Sequence, residues 1–228
     1  MQKILVINSK GGCGKTTVAT NLASYYVSQD LSTALLDFDP QGSSIRWLNQ
    51  RAQSRPEIYG VHVASRKNNT GVTRSFQMRV PAETDRMIID APAGVTGHEL
   101  VDFIHLVDTI VVPVLPSSID IHAVTRFIEE LLVVGKVRKR GVNVAVVANR
   151  VKKNTLTYKA LERFLKTLKL PFVTTLRDTQ NYVHAAERGI GLFEMWDKRT
   201  DSDKAQWRPL VRWLDEVEPE NSTHRLAN

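Results

Sequence analysis

A single cysteine, Cys13, occurs in the 228 residues of this chain. The chain therefore cannot close an internal disulfide or build a multi-cysteine metal site by itself, and a reducing, cytoplasmic setting is expected. No apolar run approaches the roughly 20 residues that a membrane-spanning helix needs. The apolar stretch near the N-terminus is too short for a signal peptide. No internal repeat is visible. Acidic residues are missing between Leu131 and Leu161, where Lys136, Arg138, Lys139, Arg140, Arg150, Lys152, Lys153 and Lys159 accumulate. The net charge of +7 raises the expectation of a polyanionic partner. With 42% hydrophobic and 24% charged residues the composition is that of a globular domain large enough for one sizeable core.

Apolar runs rich in valine and isoleucine recur at 4–7, 34–37, 87–90, 109–114, 142–148 and 172–175. Most are continuous, as expected for strands covered on both faces, and they alternate with helical patterns at 15–29, 118–134 and 155–169. In the last of these, Leu161, Phe164, Leu165 and Leu168 share one face. The pattern predicts a doubly wound α/β domain with a mostly parallel sheet, spanning 1–217, with a polar tail at 218–228. The polar, basic stretch 51–81, broken by Pro56, Gly60 and Gly71, is the least readable.

The first strand runs into Ser9-Lys10-Gly11-Gly12-Cys13-Gly14-Lys15-Thr16-Thr17 and then a helix. Glycines let backbone N–H groups converge on phosphate oxygens, and the helix N-terminus adds partial positive charge. Lys15 would reach the β- and γ-phosphates, and the Thr16 hydroxyl would bind Mg²⁺. The pattern G-x-x-x-x-G-K-[ST] is not met, because its first glycine falls on Ser9; a lysine stands at position 10 instead. The second strand ends in Asp37-Phe38-Asp39-Pro40-Gln41-Gly42-Ser43, and the strand at 87–90 ends in Asp90-Ala91-Pro92-Ala93-Gly94. Carboxylates at strand C-termini lie where α/β sheets put their ligands.

These three segments resemble the ParA/MinD family of deviant Walker A ATPases, in the ParA-like partition and positioning branch. The resemblance implies a P-loop fold with ATP and Mg²⁺ as cofactors. It makes Lys10 the signature lysine, which reaches across a nucleotide-sandwich homodimer to the partner's phosphates. It makes Asp39 the residue that positions or activates the attacking water, with the loop around it as switch I, and 91–97 as switch II. Asp90 becomes the Walker B carboxylate, while Asp37 contacts the Mg²⁺ shell or the loop itself. Asn149, at the end of the 142–148 run, would bind the adenine edge; an asparagine capping a strand end is the other reading. Gly11, Gly12, Cys13, Gly14, Lys15, Thr16 and Thr17 form the phosphate cradle, with Cys13 a small tolerated residue. His98, His105, His122 and His184 read as ordinary surface or helix residues, and phosphoryl transfer needs only positioning and charge neutralisation.

The basic residues cannot form one patch, since a strand of seven or eight residues separates 136–140 from 150–153 by roughly 25 Å. The nucleotide-side set is Lys152, Lys153, Arg163, Lys166 and Arg177. In partition members of the family such residues bind DNA without sequence preference, and a solvated basic face is the alternative. The resemblance further implies slow hydrolysis, stimulated by a cargo-bound ParB-like partner, in a cytoplasmic protein on the nucleoid; from the residues themselves, no membrane partner and no N-terminal helix-turn-helix extension are expected. A MinD-like membrane-associated ATPase would need a lipid-inserting C-terminal helix; the apolar residues at 207–214 are followed by Asp215, Glu216, Glu218 and Glu220, which disfavour anionic lipid. An iron–sulfur reductase is disfavoured by the lone cysteine. A P-loop ligase or synthetase, or a nucleotide-binding module that does not hydrolyse, are the remaining alternatives.

Overall fold

The computed structural model describes residues 1–63, 78–168 and 170–217. In chain order the elements are β1 (Gln2–Val6), α1 (Lys15–Val27), β2 (Thr33–Asp37), α2 (Ser43–Asn49), β3 (Tyr59–His62), β4 (Arg86–Asp90), α3 (Gly97–Ile104), β5 (Thr109–Val114), α4 (Ser118–Val133), β6 (Asn143–Val151), α5 (Leu156–Thr167), β7 (Phe172–Arg177), α6 (Asn181–Ala186), two short 3₁₀ turns at Leu192–Glu194 and Lys198–Thr200, and α7 (Asp201–Glu216). Among the described residues, seven strands form one parallel sheet in the order β3-β2-β4-β1-β5-β6-β7. This is the doubly wound α/β architecture expected from the sequence.

The continuous apolar strands follow from burial on both faces. Leu5, Met87, Ile89, Ile110, Val112 and Val146 face a layer built by α3, α4 and α5, through Phe103, Phe127, Leu131, Leu161 and Leu165. Ile4, Val6, Ile88, Val111 and Val147 face the other layer, built by α1, α2 and α7, through Leu22, Tyr26, Trp47, Trp207 and Leu210. On α5 the expected apolar stripe is in place, with Leu161 and Leu165 buried and Phe164 and Leu168 packed at the edge. The apolar face of α7 lies against the sheet, with Trp207, Leu210 and Leu214 fully buried. A lipid-inserting helix needs its apolar face free, and that of α7 is taken up by the sheet. No helix among the described residues is long and apolar enough to cross a membrane.

Among the elements not foreseen are α2, β3 and α3. The strand β3 sits inside the stretch that reads poorly, because an edge strand of Tyr-Gly-Val-His buries only Val61 and so carries no apolar run. Part of that stretch, and the tail expected at 218–228, lie outside the described residues. β6 also continues to Val151, beyond the expected end at 148. Its register against β7 slips between Ala148 and Val151, with Arg150 in the left-handed region at φ 51°. Such a bulge lets a strand continue past a residue that faces away. After β1 the chain winds through β2, β3 and β4 on one side, then β5, β6 and β7 on the other. The C-terminal end of β1 is thus the switch point where doubly wound sheets hold ligands.

Candidate functional site

The loop after β1 enters α1 at Gly14, whose φ of 92° favours glycine. A second constraint acts at the same residue. A Cβ on Gly14 would stand 2.1 Å from Asn149 Nδ2. The Asn149 carboxamide is 2% exposed, donates to Cys13 O at 2.8 Å and accepts from Arg150 N at 2.9 Å. Asn149 is therefore bolted to the phosphate loop, a connection that its place at a strand end does not reveal. Asn8 ties the loop from the other side, donating to Pro113 O and accepting from Lys10 N. Gly94, in the expected switch II, donates its N–H to Ser9 O at 2.7 Å. Cys13 is buried, and burial raises its thiol above the ordinary range, which suits a packing role.

Gly11, Gly12, Gly14, Lys15, Thr16 and Thr17 line a cleft of about 500 Å³, together with Asp39, Ala93 and Asn149. Its far wall is Arg150, Asp178, Thr179, Gln180, Tyr182 and Val183. Lys15 Nζ donates to Lys10 O at 3.1 Å, which holds the ammonium at the loop. Asp39 lines the cleft; its side chain accepts from Gln41 N, which shapes the turn into α2.

The two strand-end aspartates lie side by side in register, yet they do different work. Asp37 accepts from Asp39 N at 3.0 Å, Ser44 N at 2.8 Å and Ile45 N at 3.2 Å. It is the anchor for the first turn of α2, whose N-cap Gly42 has no side chain to offer. Burial raises its carboxyl, opposed by these amides. Of the two contacts expected of Asp37, with the Mg²⁺ shell or with the loop itself, these bonds are the second. Asp90 differs. Its Oδ2 accepts from Thr16 Oγ1 at 2.8 Å and Ser44 Oγ at 2.5 Å, while Oδ1 is buried with no hydrogen-bond partner. Burial pushes the carboxyl up to about 7, with the neighbouring Asp37 adding to the effect. A buried, orphaned carboxylate oxygen beside a threonine hydroxyl, at the mouth of a phosphate loop, fits a hard cation such as Mg²⁺.

Lys10 stands at the rim, 36% exposed at its side chain, with Nζ 2.6 Å from Asp120 Oδ1. The other oxygen of Asp120 accepts from Ser117 Oγ, and Ser117 in turn caps α4 by accepting from Asp120 N. Sequence reasoning missed Asp120 and Ser44, although Ser-x-x-Asp at a helix start and a serine after the Asp-Pro-Gln-Gly turn were available signals.

The expected DNA residues are spread unevenly. Lys152, Lys153, Arg163 and Lys166 are exposed, on the turn after β6 and along α5. Lys152 lies 3.9 Å from Asp178 and Lys166 lies 3.6 Å from Glu162. Arg177, 40% exposed at its side chain, pairs its guanidinium with the fully buried Asp203 of α7, with Nη2–Oδ2 at 3.1 Å. It fastens α7 to the sheet edge.

Comparison with known proteins agrees with this geometry. The carboxysome distribution protein A of Halothiobacillus neapolitanus is 27% identical over 197 residues, covering 84% of this chain and 87% of that protein. Apo McdA from Cyanothece superposes with a TM-score of 0.72 at 17% identity, over 94% of this chain and 99% of that one. A plasmid partition protein of Borrelia burgdorferi bound to AMPPNP superposes with a TM-score of 0.71 at 16% identity, over 93% and 99%. The sequence profile of the CobQ/CobB/MinD/ParA nucleotide-binding domain matches residues 4–193, so this chain belongs to that family.

Proposed function

We propose that the chain is an ATP-driven positioning switch: it dimerises around ATP, binds DNA without sequence preference in that state, and hydrolyses ATP slowly to let go. The observation that carries the reading is the second lysine. Lys10 precedes Gly11 of a cleft whose own phosphate lysine is Lys15; its ammonium, held by Asp120 and 36% exposed at the side chain, would supply charge to a facing copy as an arginine finger does once it leaves that pair. Thr16 and Asp90 would hold Mg²⁺, which would supply charge neutralisation to the bound phosphates. Lys15 and the loop amides orient the triphosphate, and Asp39 holds the attacking water. Asn149 keeps the loop in shape from the wall of the cleft. Relatives that maintain carboxysome distribution or partition plasmids support a positioned cargo; in this reading the cargo is spaced along the nucleoid and a cargo-bound protein stimulates hydrolysis.

The face presented to DNA is Lys152, Lys153, Arg163 and Lys166. Phosphate contacts are individually weak and salt-dependent, roughly 10⁻⁴–10⁻⁶ M for non-specific binding, so doubling the charge in a dimer turns ATP into a control of retention. The experiment is DNA retention with ATP, ADP and no nucleotide, at low and raised salt. Wild type is retained with ATP alone; Lys10→Ala loses both dimer and retention; reversing the four basic residues to glutamate keeps the dimer and loses retention. Retention indifferent to nucleotide overturns the reading.

A further inference from the structure

A second cleft lies across α6 from the nucleotide site. Tyr182 and Val183 face the nucleotide cleft, whereas Asn181 and His184 face a separate cavity of about 590 Å³. Its rim carries Arg55, Arg188, Arg199 and Trp196. Trp196 is 97% exposed, so its indole packs against nothing in the fold. Arg55 and Arg188 have no carboxylate partner among the described residues. The two carboxylates in the wall already carry arginines: Asp197 accepts from Arg199 at 2.6 Å, and Glu194 is buried against Arg51 at 2.5 Å. Cationic character and a free aromatic face therefore coincide.

From this arrangement we infer a binding site for a nucleobase joined to a phosphate. Guanidinium groups recognise phosphate oxygens by paired hydrogen bonds, and an exposed indole offers a stacking surface that every base can use. The size agrees: a lone inorganic anion would leave most of the cavity empty, while pockets of 300–1,000 Å³ hold ligands of nucleotide size. An acidic peptide with apolar anchors fits less well, because apart from Ile190, Met195 and the Trp196 indole the wall is polar. The ligand is either a free nucleotide or a nucleotide within an unpaired strand; both present the same base and phosphate. This site is independent of the ATP switch proposed above, although α6 forms a wall of each cleft.

The test uses the full chain with the phosphate-loop cleft saturated by Mg–ADP and its retention monitored. The probes are 5′-AMP and a short oligothymidylate, read by tryptophan fluorescence and by anisotropy of the labelled strand. Quenching by 5′-AMP assigns the site to free nucleotides; binding of the oligothymidylate alone assigns it to a strand. In either case Trp196→Ala weakens binding about tenfold or more, Trp196→Phe restores most of it, and Arg188→Ala weakens it and flattens the salt dependence. Because Trp196 and Arg188 are exposed, these variants keep the fold. The inference is overturned if neither probe binds, if Trp196→Ala binds as wild type, or if poly-glutamate or duplex DNA binds more tightly than both probes. None of those results touches the ATP-dependent dimer, which is measured separately.

Discussion

Replacing Asp90 with asparagine separates the cost of burying a charge from the use the site has for it. Burial lifts the Asp90 carboxyl from the ordinary 3.8 to about 7. Each unit corresponds to about 1.4 kcal/mol, so holding the ionised group in the metal-free fold costs at most about 4 kcal/mol. Asparagine removes that cost. Its carbonyl can accept from Thr16 and Ser44 as Oδ2 does, but its amide then occupies the place of the unpartnered Oδ1. An unpaired buried donor costs about 1–3 kcal/mol.

The pH dependence follows from the direction of the shift. Because the folded state holds this proton more tightly than the unfolded chain, the stability it contributes is fully present below the unfolded value near 4. That contribution is lost as pH rises towards 7. Near pH 5 wild type should therefore equal or exceed Asp90→Asn in stability. At pH 8 without Mg²⁺ the asparagine variant should be the more stable by about 1–3 kcal/mol, a Tm difference of roughly 3–10 °C for a chain of this size. Urea denaturation in EDTA at both pH values measures it. With Mg²⁺ and nucleotide the order should invert, since wild type alone gains a ligand for its carboxylate. A stability gap that does not move with pH would refute the reasoning that Asp90 is held as a strained, metal-ready carboxylate.

Other outcomes follow from single contacts. Asp120→Asn keeps the bond to Ser117 and weakens the tie to Lys10; if each charge-assisted tie is worth about 1 kcal/mol, releasing two per dimer tightens ATP-dependent dimerisation by roughly 10–30-fold in sedimentation experiments. Weaker dimerisation would mean that Asp120 serves the dimer directly. Asn149→Ala frees Cys13 O and opens space beside Gly14, and nucleotide titration should show a loss of about tenfold in affinity with little change in the fold. Burial works to raise the Glu194 carboxyl, but Arg51, the Ser24 hydroxyl and Gly191 N–H together hold it below its usual range. Arg51→Met strands that charge, and urea melts should register a loss of about 3–5 kcal/mol, with α2 loosened from the turn at Leu192–Glu194.

Local chemistry alone determined much of this protein. Runs of buried residues on six strands announced a sheet covered on both sides, and a lysine-flanked glycine turn between a strand and a helix announced phosphate, because backbone N–H groups and a helix N-terminus act within a few residues of each other. What only the tertiary structure decided involves groups distant in sequence. Asp37 and Asp90 are both acids at strand ends, and nothing in the chain order says that one caps α2 while the other keeps a free buried oxygen. Lys10 meets Asp120 across 110 positions, Asn149 grips Cys13 across 136, and Arg177 meets the buried Asp203 on α7. The edge strand β3 escaped notice for a related reason: its few buried atoms gain their meaning from α2 lying over them. Periodicity reports which face of an element is dry; which charges meet there is settled by how the elements pack.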